Sequence, residues 1–415
     1  MPNPTKIDLI TIGDELLMGI RENKHLFWIG EELSRYGLDI QRNLVVRDSA
    51  DEIRRHFSDS WLHSDIVITT GGLGPTCDDL TRETIAQALA LELEFVPEIK
   101  ATITERFKQS GRPFTSNNLK QCYRPRGAET LSNPCGTAPG IYLQKQDKIL
   151  IMLPGPATEL EPMWHNEVLP HLQSRGLLDN RSSYLQIRTS GIGESTVEAT
   201  LQPIFAQNPD LSIAFCAHQN IVDLRLSSST LSPSQIQAIG EECRQVLGIH
   251  FLSYGHSSLA EVVLHQLRAL NQTLSLAESC TGGLLSDTLT NVPRASEVFA
   301  GGVVCYSDAA KIKTLGVSQK LLEQHGAVSA ETAQALAKGA AERFATDYAL
   351  SITGFAGPSG GDHLPAGTVY IGCHSPTGTL SRQDTYRGDR LAVKARAVTT
   401  ALDWLRRELN SDYKF

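Results

Sequence analysis

The chain opens on an alternation of short apolar runs with longer amphipathic ones, and that alternation constrains its fold more than any other feature. KIDLITIG, LDIQRNLVV and DIVITTGG read as strands, while NKHLFWIGEELSRYG and SADEIRRHFSDSWLHS between them repeat apolar residues at helical spacing. A strand that rejoins its sheet after a helix runs parallel to its predecessor, so this β-α-β-α-β order predicts a parallel sheet covered by helices. A helix at LTRETIAQALAL follows. Then come an irregular stretch rich in Pro, Asn and Gly, from SGRPFTSNNLKQ to NPCGTAPG, a strand pair in IYLQKQDKILIML and a helix from Ala157.

Two further patterns follow, as expected of 415 residues, too many for one core. After a linker at SRGLLDNRSS, the order β (SYLQIRTSG), α (ESTVEATLQPIFAQ), β (LSIAFCAHQ), β (NIVDLRLSS), α (SPSQIQAIGEECRQVLG) predicts a small α+β unit. From about His256 a third unit begins, with strands at TLSLAES, GGVVCYS, YALSITG, GTVYIGCH and LSRQDTYRG and a last helix at RLAVKARAVTTALDWLRREL. The predicted domains are 1–175, 176–253 and 254–415.

Charge narrows the partners. A net charge of −8 gives no overall attraction to nucleic acid or anionic lipid, and residues 181–253 hold four arginines against six acids. Neither nucleic acid nor membrane is an expected partner. The eight cysteines form no C-x-x-C pair and no zinc-type cluster, no run of 18 apolar residues occurs, and the N-terminus carries no basic head before an apolar run. The expected location is the cytoplasm.

Four loops in the third unit follow strands and carry chemistry. TLSLAESCTGGLL runs into Glu278, Ser279, Cys280, Thr281, Gly282 and Gly283 before a helix, a turn able to hold a phosphate or an oxyanion, or simply to cap the helix. In VVCYSDAAKIKTLG the spacing of Tyr306 and Lys311 allows both to reach one pocket. TGFAGPSGG, with Thr353, Gly354 and Gly357, has more glycine than a connection needs, which points to close approach by a ligand. Arg390, near the start of the last helix, has planar donors suited to phosphate.

AESCTGG, GGVVCYSDAAK, HGAVSAET, TGFAGPSGG, GTVYIG and RGDR, in this order, closely resemble the C-terminal domain of the CinA (competence/damage-inducible protein) family. The resemblance implies an α/β deamidase domain that converts nicotinamide mononucleotide to nicotinic acid mononucleotide and ammonia without a cofactor. The chemistry of amide hydrolysis then assigns Ser279 as nucleophile with Cys280 as runner-up, Lys311 as base and Tyr306 as proton relay. Backbone N–H groups of Thr281 to Gly283 would form the oxyanion hole, and Arg390 would hold the phosphate. The loop departs from the family's usual form at Phe355 and Ser359 and continues as GDHLPAGTV.

At the other end, TIGDELLMG, TTGGLGPTCDDLTRE, NPCGTAPG and LPGPATEL resemble the molybdopterin-binding fold family and, more closely, the N-terminal domain of CinA proteins. Gly71, Gly72 and Gly74 open the carboxyl end of a parallel strand, where such sheets bind ligands. The resemblance implies a metal-dependent ADP-ribose pyrophosphatase, with Asp14, Glu15, Asp48, Asp78 and Asp79 holding a divalent cation of unassigned identity. Where many relatives carry Asp-Thr-Asn, this chain has Arg21, Glu22 and Asn23. The middle unit resembles a KH-type module, with SGIGES at its first strand-to-helix turn, and its expected role is packing or dimerisation within a homodimer. The alternative for the N-terminal domain is a non-catalytic pterin or nucleotide module of a competence-related scaffold.

Overall fold

A computed structural model describes residues 5–178, 183–218, 220–228, 230–361 and 363–410. Residues 179–182 of the expected linker, including Arg181, and Asp362 of the GDHLPAGTV segment lie outside the described residues. The chain divides into two compact units, Met1–Ser182 and Ser183–Phe415.

In the first unit the alternating sequence forms a six-stranded sheet. Ile40–Val46, Ile7–Ile12, Ile66–Thr70 and Lys148–Leu153 lie side by side and parallel, and Gly140–Lys145 and Glu129–Leu131 complete one edge antiparallel. Every residue of Ile7–Ile12 and Ile66–Thr70 is buried, as strands covered on both faces require. The pleat sends Ile7, Leu9, Ile66 and Ile68 to one face, against Ile29 and Leu33 of the helix His25–Ser34. Ile10, Ile12 and Val67 go to the other, against Ile53 and Phe57 of the helix Ala50–His63. The irregular stretch contains the 3-10 helix Ser116–Cys122 and is preceded by the helix Pro97–Gln109.

The second unit contains two sheets. Ser212–His218, Ile221–Ser228, Ser183–Ser190 and Phe251–Tyr254 form an antiparallel sheet under the helices Glu194–Gln207 and Pro233–Leu247, the α+β arrangement expected. Its fourth strand, Phe251–Tyr254, is an element that the sequence reading did not assign.

The other sheet is ordered Phe299–Val304, Leu274–Glu278, Tyr348–Gly354, Thr368–Ser375 and Gly378–Thr385, with the first three parallel and the last two antiparallel. Leu274, Leu276, Leu350 and Ile352 face the helices Leu259–Leu270 and Arg390–Glu408, while the small Ala277 and Ala349 face Ala330–Phe344. Arg406 ties the two sheets together by donating to the carbonyls of Ile249 (2.6 Å) and Phe251 (2.9 Å) while paired with Asp403. Among the described residues no helix is long and apolar enough to cross a membrane.

Candidate functional site

The three parallel strands of the second unit end at one edge, and their following residues meet there. Ser279 continues its strand by donating its amide to Ile352 (2.9 Å), and Cys305 donates its amide to Glu278 (2.8 Å). Ser279 therefore stands between the segments that carry Thr353 and Tyr306.

The turn after Ser279 is built by Glu278. This fully buried carboxylate accepts from the amides of Gly283 (3.0 Å), Leu285 (3.0 Å) and Ser286 (2.8 Å) and from the Ser286 hydroxyl (2.7 Å). It caps the helix Leu284–Thr290 from within the preceding strand. Gly282 and Gly283 have φ of +63° and +99°, a region open to glycine and costly for other residues.

This cap revises the expected oxyanion hole. The Gly283 amide is taken by Glu278 and the Gly282 amide by the Ser279 carbonyl (3.2 Å). Among the described residues the Thr281 amide remains without a partner, and the buried Thr281 hydroxyl is unpartnered as well.

Arg390, first residue of the last helix, donates to the Gly357 carbonyl (2.8 Å) and to the Tyr306 hydroxyl (3.1 Å). It thereby joins the glycine-rich loop to the end of Phe299–Val304, across the strand that carries Ser279. Lys311 is 1 % exposed, with Nζ 3.2 Å from the Tyr306 carbonyl and 3.6 Å from Asp308. Among the described residues Lys311 makes no hydrogen bond to Ser279, and the Tyr306 hydroxyl meets Arg390 rather than Ser279.

Two other expectations change. The Thr353 hydroxyl is consumed by the Ala327 carbonyl (2.7 Å), which fixes the start of the Ala330–Phe344 helix instead of facing a ligand. Gly354 abuts the backbone of Thr368 and Val369, and Gly361 the ring of Phe355, so the chain's own packing accounts for both. Gly357, with φ of +100° and open space where a Cβ would stand, is the loop glycine that borders the site. Burial pushes the Cys280 thiol up to about 11, although Arg390 and Lys394 lie near it. A thiol so protonated is not an activated nucleophile at neutral pH.

Sequence reading missed Lys394. It lies one helical turn beyond Arg390, 3.8 Å from where a Cβ on Gly282 would stand, and the i, i+4 spacing was the available signal.

In the first unit, a cavity of about 350 Å³ opens at the carboxyl ends of the parallel strands. Gly71, Gly72 and Gly74 line it with bare backbone, alongside Glu15, Asp48, Asp78 and Asp79 and the divergent Arg21 and Glu22. Gly71 packs against the Ile12 carbonyl and Gly72 against Thr81, so both are required by the fold as well. Burial, joined by Glu15, Asp14 and Asp78, pushes the Asp48 carboxyl up, against the Asp14 amide donating to it at 2.9 Å. Hydrogen bonding at the Thr76 turn and to its own backbone amide holds the Asp78 carboxyl below its ordinary range.

The expected five-carboxylate set is not assembled. Asp14 is 3.8 Å from Arg47 and does not line the cavity, and Asp79 accepts from the amide (2.8 Å) and hydroxyl of Thr76, closing its own loop. Among the described residues no three His, Cys, Asp or Glu side chains are placed to hold one metal ion. Excess negative charge around Asp48 suits a cation, but the spacing does not form a coordination sphere.

Two contributors here went unread in the sequence. Lys120 pins the loop by donating to the carbonyls of Thr76 (3.1 Å) and Asp79. His25 bridges the Thr70 hydroxyl and the Gly155 carbonyl, each at 2.8 Å, and burial holds its ring below the ordinary imidazole range. The carbonyl can only accept, so Nε2 carries the proton and Nδ1 accepts from Thr70.

Comparison with known proteins finds three family matches along the chain. The probable molybdopterin binding domain matches residues 8–174, the damage-inducible protein CinA KH domain residues 186–251, and the CinA C-terminal domain residues 256–409. A CinA-like protein of Kosmotoga olearia is 39 % identical over 410 residues, covering 97 % of this chain and 99 % of its own. A Clostridium botulinum protein described as competence-damage inducible is 38 % identical over 409 residues, covering 97 % and 100 %. A solved CinA superfamily protein from Klebsiella pneumoniae, 36 % identical, covers 36 % of this chain and 95 % of its own with a TM-score of 0.36.

Proposed function

The chain belongs to the CinA family, and from that premise we propose that its C-terminal domain deamidates nicotinamide mononucleotide. The observation that carries this reading is the strand edge at which Ser279, the unpartnered Thr281 amide and the Arg390–Tyr306 pair are gathered. Ser279 Oγ adds to the carboxamide carbon and gives up its proton as the C–O bond forms. The Thr281 N–H donates to the developing oxyanion. The proton that Ser279 gave up passes to the amide nitrogen, collapse of the adduct expels ammonia, and water then cleaves the acyl-serine to release the carboxylate and restore the hydroxyl.

Lys311 is assigned the proton-accepting role as a buried amine at this edge, with Tyr306 between it and Arg390. Catalytic hydrogen bonds often close only on the bound substrate. Arg390 is held by two protein contacts that fix Tyr306 and the Gly357 loop, and its remaining N–H groups border the place of the substrate. The test is ammonia release from nicotinamide mononucleotide by the full chain without added metal. Ser279→Ala lowers the rate on the order of 10³-fold or more, and Cys280→Ala has a milder effect. Loss of activity in Cys280→Ala alone would transfer the nucleophile's role to the thiol.

For the N-terminal domain the reading is hydrolysis of ADP-ribose to AMP and ribose 5-phosphate, supported by a cavity that joins bare backbone to Glu15, Asp48 and Asp78. A divalent cation there would neutralise diphosphate charge and activate water; Glu15, Asp48 and Asp78 line the cavity but would have to close on the ion, since they are not placed to hold one as they stand.

A further inference from the structure

At the edge of the C-terminal sheet two cations project from one face of the last helix, and they differ in what they touch. Arg390 is engaged by two protein acceptors, the Gly357 carbonyl and the Tyr306 hydroxyl, so its position is fixed by the loop and the strand end. Lys394 has no acceptor among the described residues. Its Nζ stands over the Thr281–Gly282 turn, 3.8 Å from the place of a Gly282 Cβ. Gly282 adopts positive φ and lacks a side chain, which leaves bare backbone beneath the ammonium. The buried Thr281 hydroxyl at the same turn is also unpartnered.

A partly buried ammonium without a carboxylate, beside unpartnered polar groups, calls for an anion from outside the chain. The helix Leu284–Thr290 does not supply that attraction, because Glu278 already occupies its amides and adds negative charge.

We infer that Lys394 is the residue that selects a 5′-phosphorylated nucleotide over the corresponding nucleoside, its ammonium pairing with the phosphate while Arg390 chiefly positions Tyr306 and the Gly357 loop. This rests on the deamidase reading above. It deepens it by separating the group that recognises phosphate from the group that shapes the site.

The experiment compares full-length wild type with Lys394→Met, which keeps most of the length of the side chain and removes its charge. kcat/KM is measured on nicotinamide mononucleotide and on nicotinamide riboside. The expected result is a loss on the order of 10- to 100-fold on the nucleotide alone, the effect of one charge-assisted contact, with most of it regained in Lys394→Arg. An equal loss on both substrates, or no loss on the nucleotide, overturns the inference. Calorimetric titration of inorganic phosphate into both proteins gives a second readout that needs no turnover. Phosphate binding stronger in wild type than in Lys394→Met supports the inference, and equal binding overturns it. Absence of wild-type turnover on either substrate refutes the deamidase reading, and the phosphate titration then decides the role of Lys394 by itself.

Discussion

Replacing Glu278 by glutamine preserves shape and tests whether this carboxylate builds the turn that carries Ser279. In the wild type Oε1 accepts from the Ser286 amide and hydroxyl, and Oε2 accepts from the amides of Gly283 and Leu285. Glutamine offers one accepting oxygen. Its best orientation keeps the Gly283 and Leu285 bonds, turns the amide nitrogen to Ser286 and lets the Ser286 hydroxyl rotate to accept. The Ser286 N–H is then left facing a donor in a buried place. An orphaned buried donor costs about 1–3 kcal/mol, and the two retained bonds lose their charge assistance, so the expected destabilisation is about 2–4 kcal/mol. For a unit the size of 183–415, each kcal/mol moves Tm by roughly 2–4 °C, which places the shift at roughly 5–15 °C. Calorimetry of the full chain reads it as a displacement of one unfolding transition while the N-terminal transition stays in place. Ser286→Ala, which removes only the hydroxyl contact, costs about 1 kcal/mol and serves as the scale. A Glu278→Gln protein that unfolds within about 1 °C of wild type would show that the carboxylate does not hold this turn.

Two further outcomes follow from the other contacts. A fragment beginning at residue 256 discards Ile249 and Phe251, the carbonyl partners of the nearly buried Arg406, so it unfolds at lower denaturant than a fragment beginning at Ser183; equal midpoints would show that the two sheets do not support each other. In the N-terminal domain, ADP-ribose hydrolysis requires an added divalent cation and is lost in Asp48→Asn while nicotinamide mononucleotide deamidation is unchanged, and cation-independent cleavage would refute the carboxylate reading.

The parallel strands were legible because burial on both faces writes them as unbroken apolar runs, as in Ile7–Ile12 and Ile66–Thr70. Phe251–Tyr254 was not, because four residues are too few to show a period and their pairing with Ser183–Ser190 is set across a long loop. The helix Pro97–Gln109 is poorly legible because it adjoins a stretch rich in Pro, Asn and Gly. At the candidate sites, residue type was informative and assignment of partners was not. Asp79 sits among acids but spends its carboxylate on Thr76, and Thr353 spends its hydroxyl on Ala327. Those acceptor and donor pairs involve backbone groups, which carry no signature in a sequence. His25 carries no signal in the sequence because its two ring partners come from Thr70 and Gly155, each far along the chain.

The two glycine turns lead to a common physical point. A strand-to-helix turn with bare backbone is a candidate anion site only while its amides are free. At Gly282–Gly283 the chain supplies its own anion, Glu278, and at Gly71–Gly72 the glycines are demanded by contact with Ile12 and Thr81. In both units the turn is therefore a structural solution first. What remains for a ligand is set by side chains at the rim, cationic at one edge through Arg390 and Lys394 and acidic at the other through Glu15, Asp48 and Asp78. Opposite charge at two similar turns suits the two proposed readings differently: a cationic rim can pair directly with a monophosphate, whereas an acidic rim repels a diphosphate unless its charge is neutralised first.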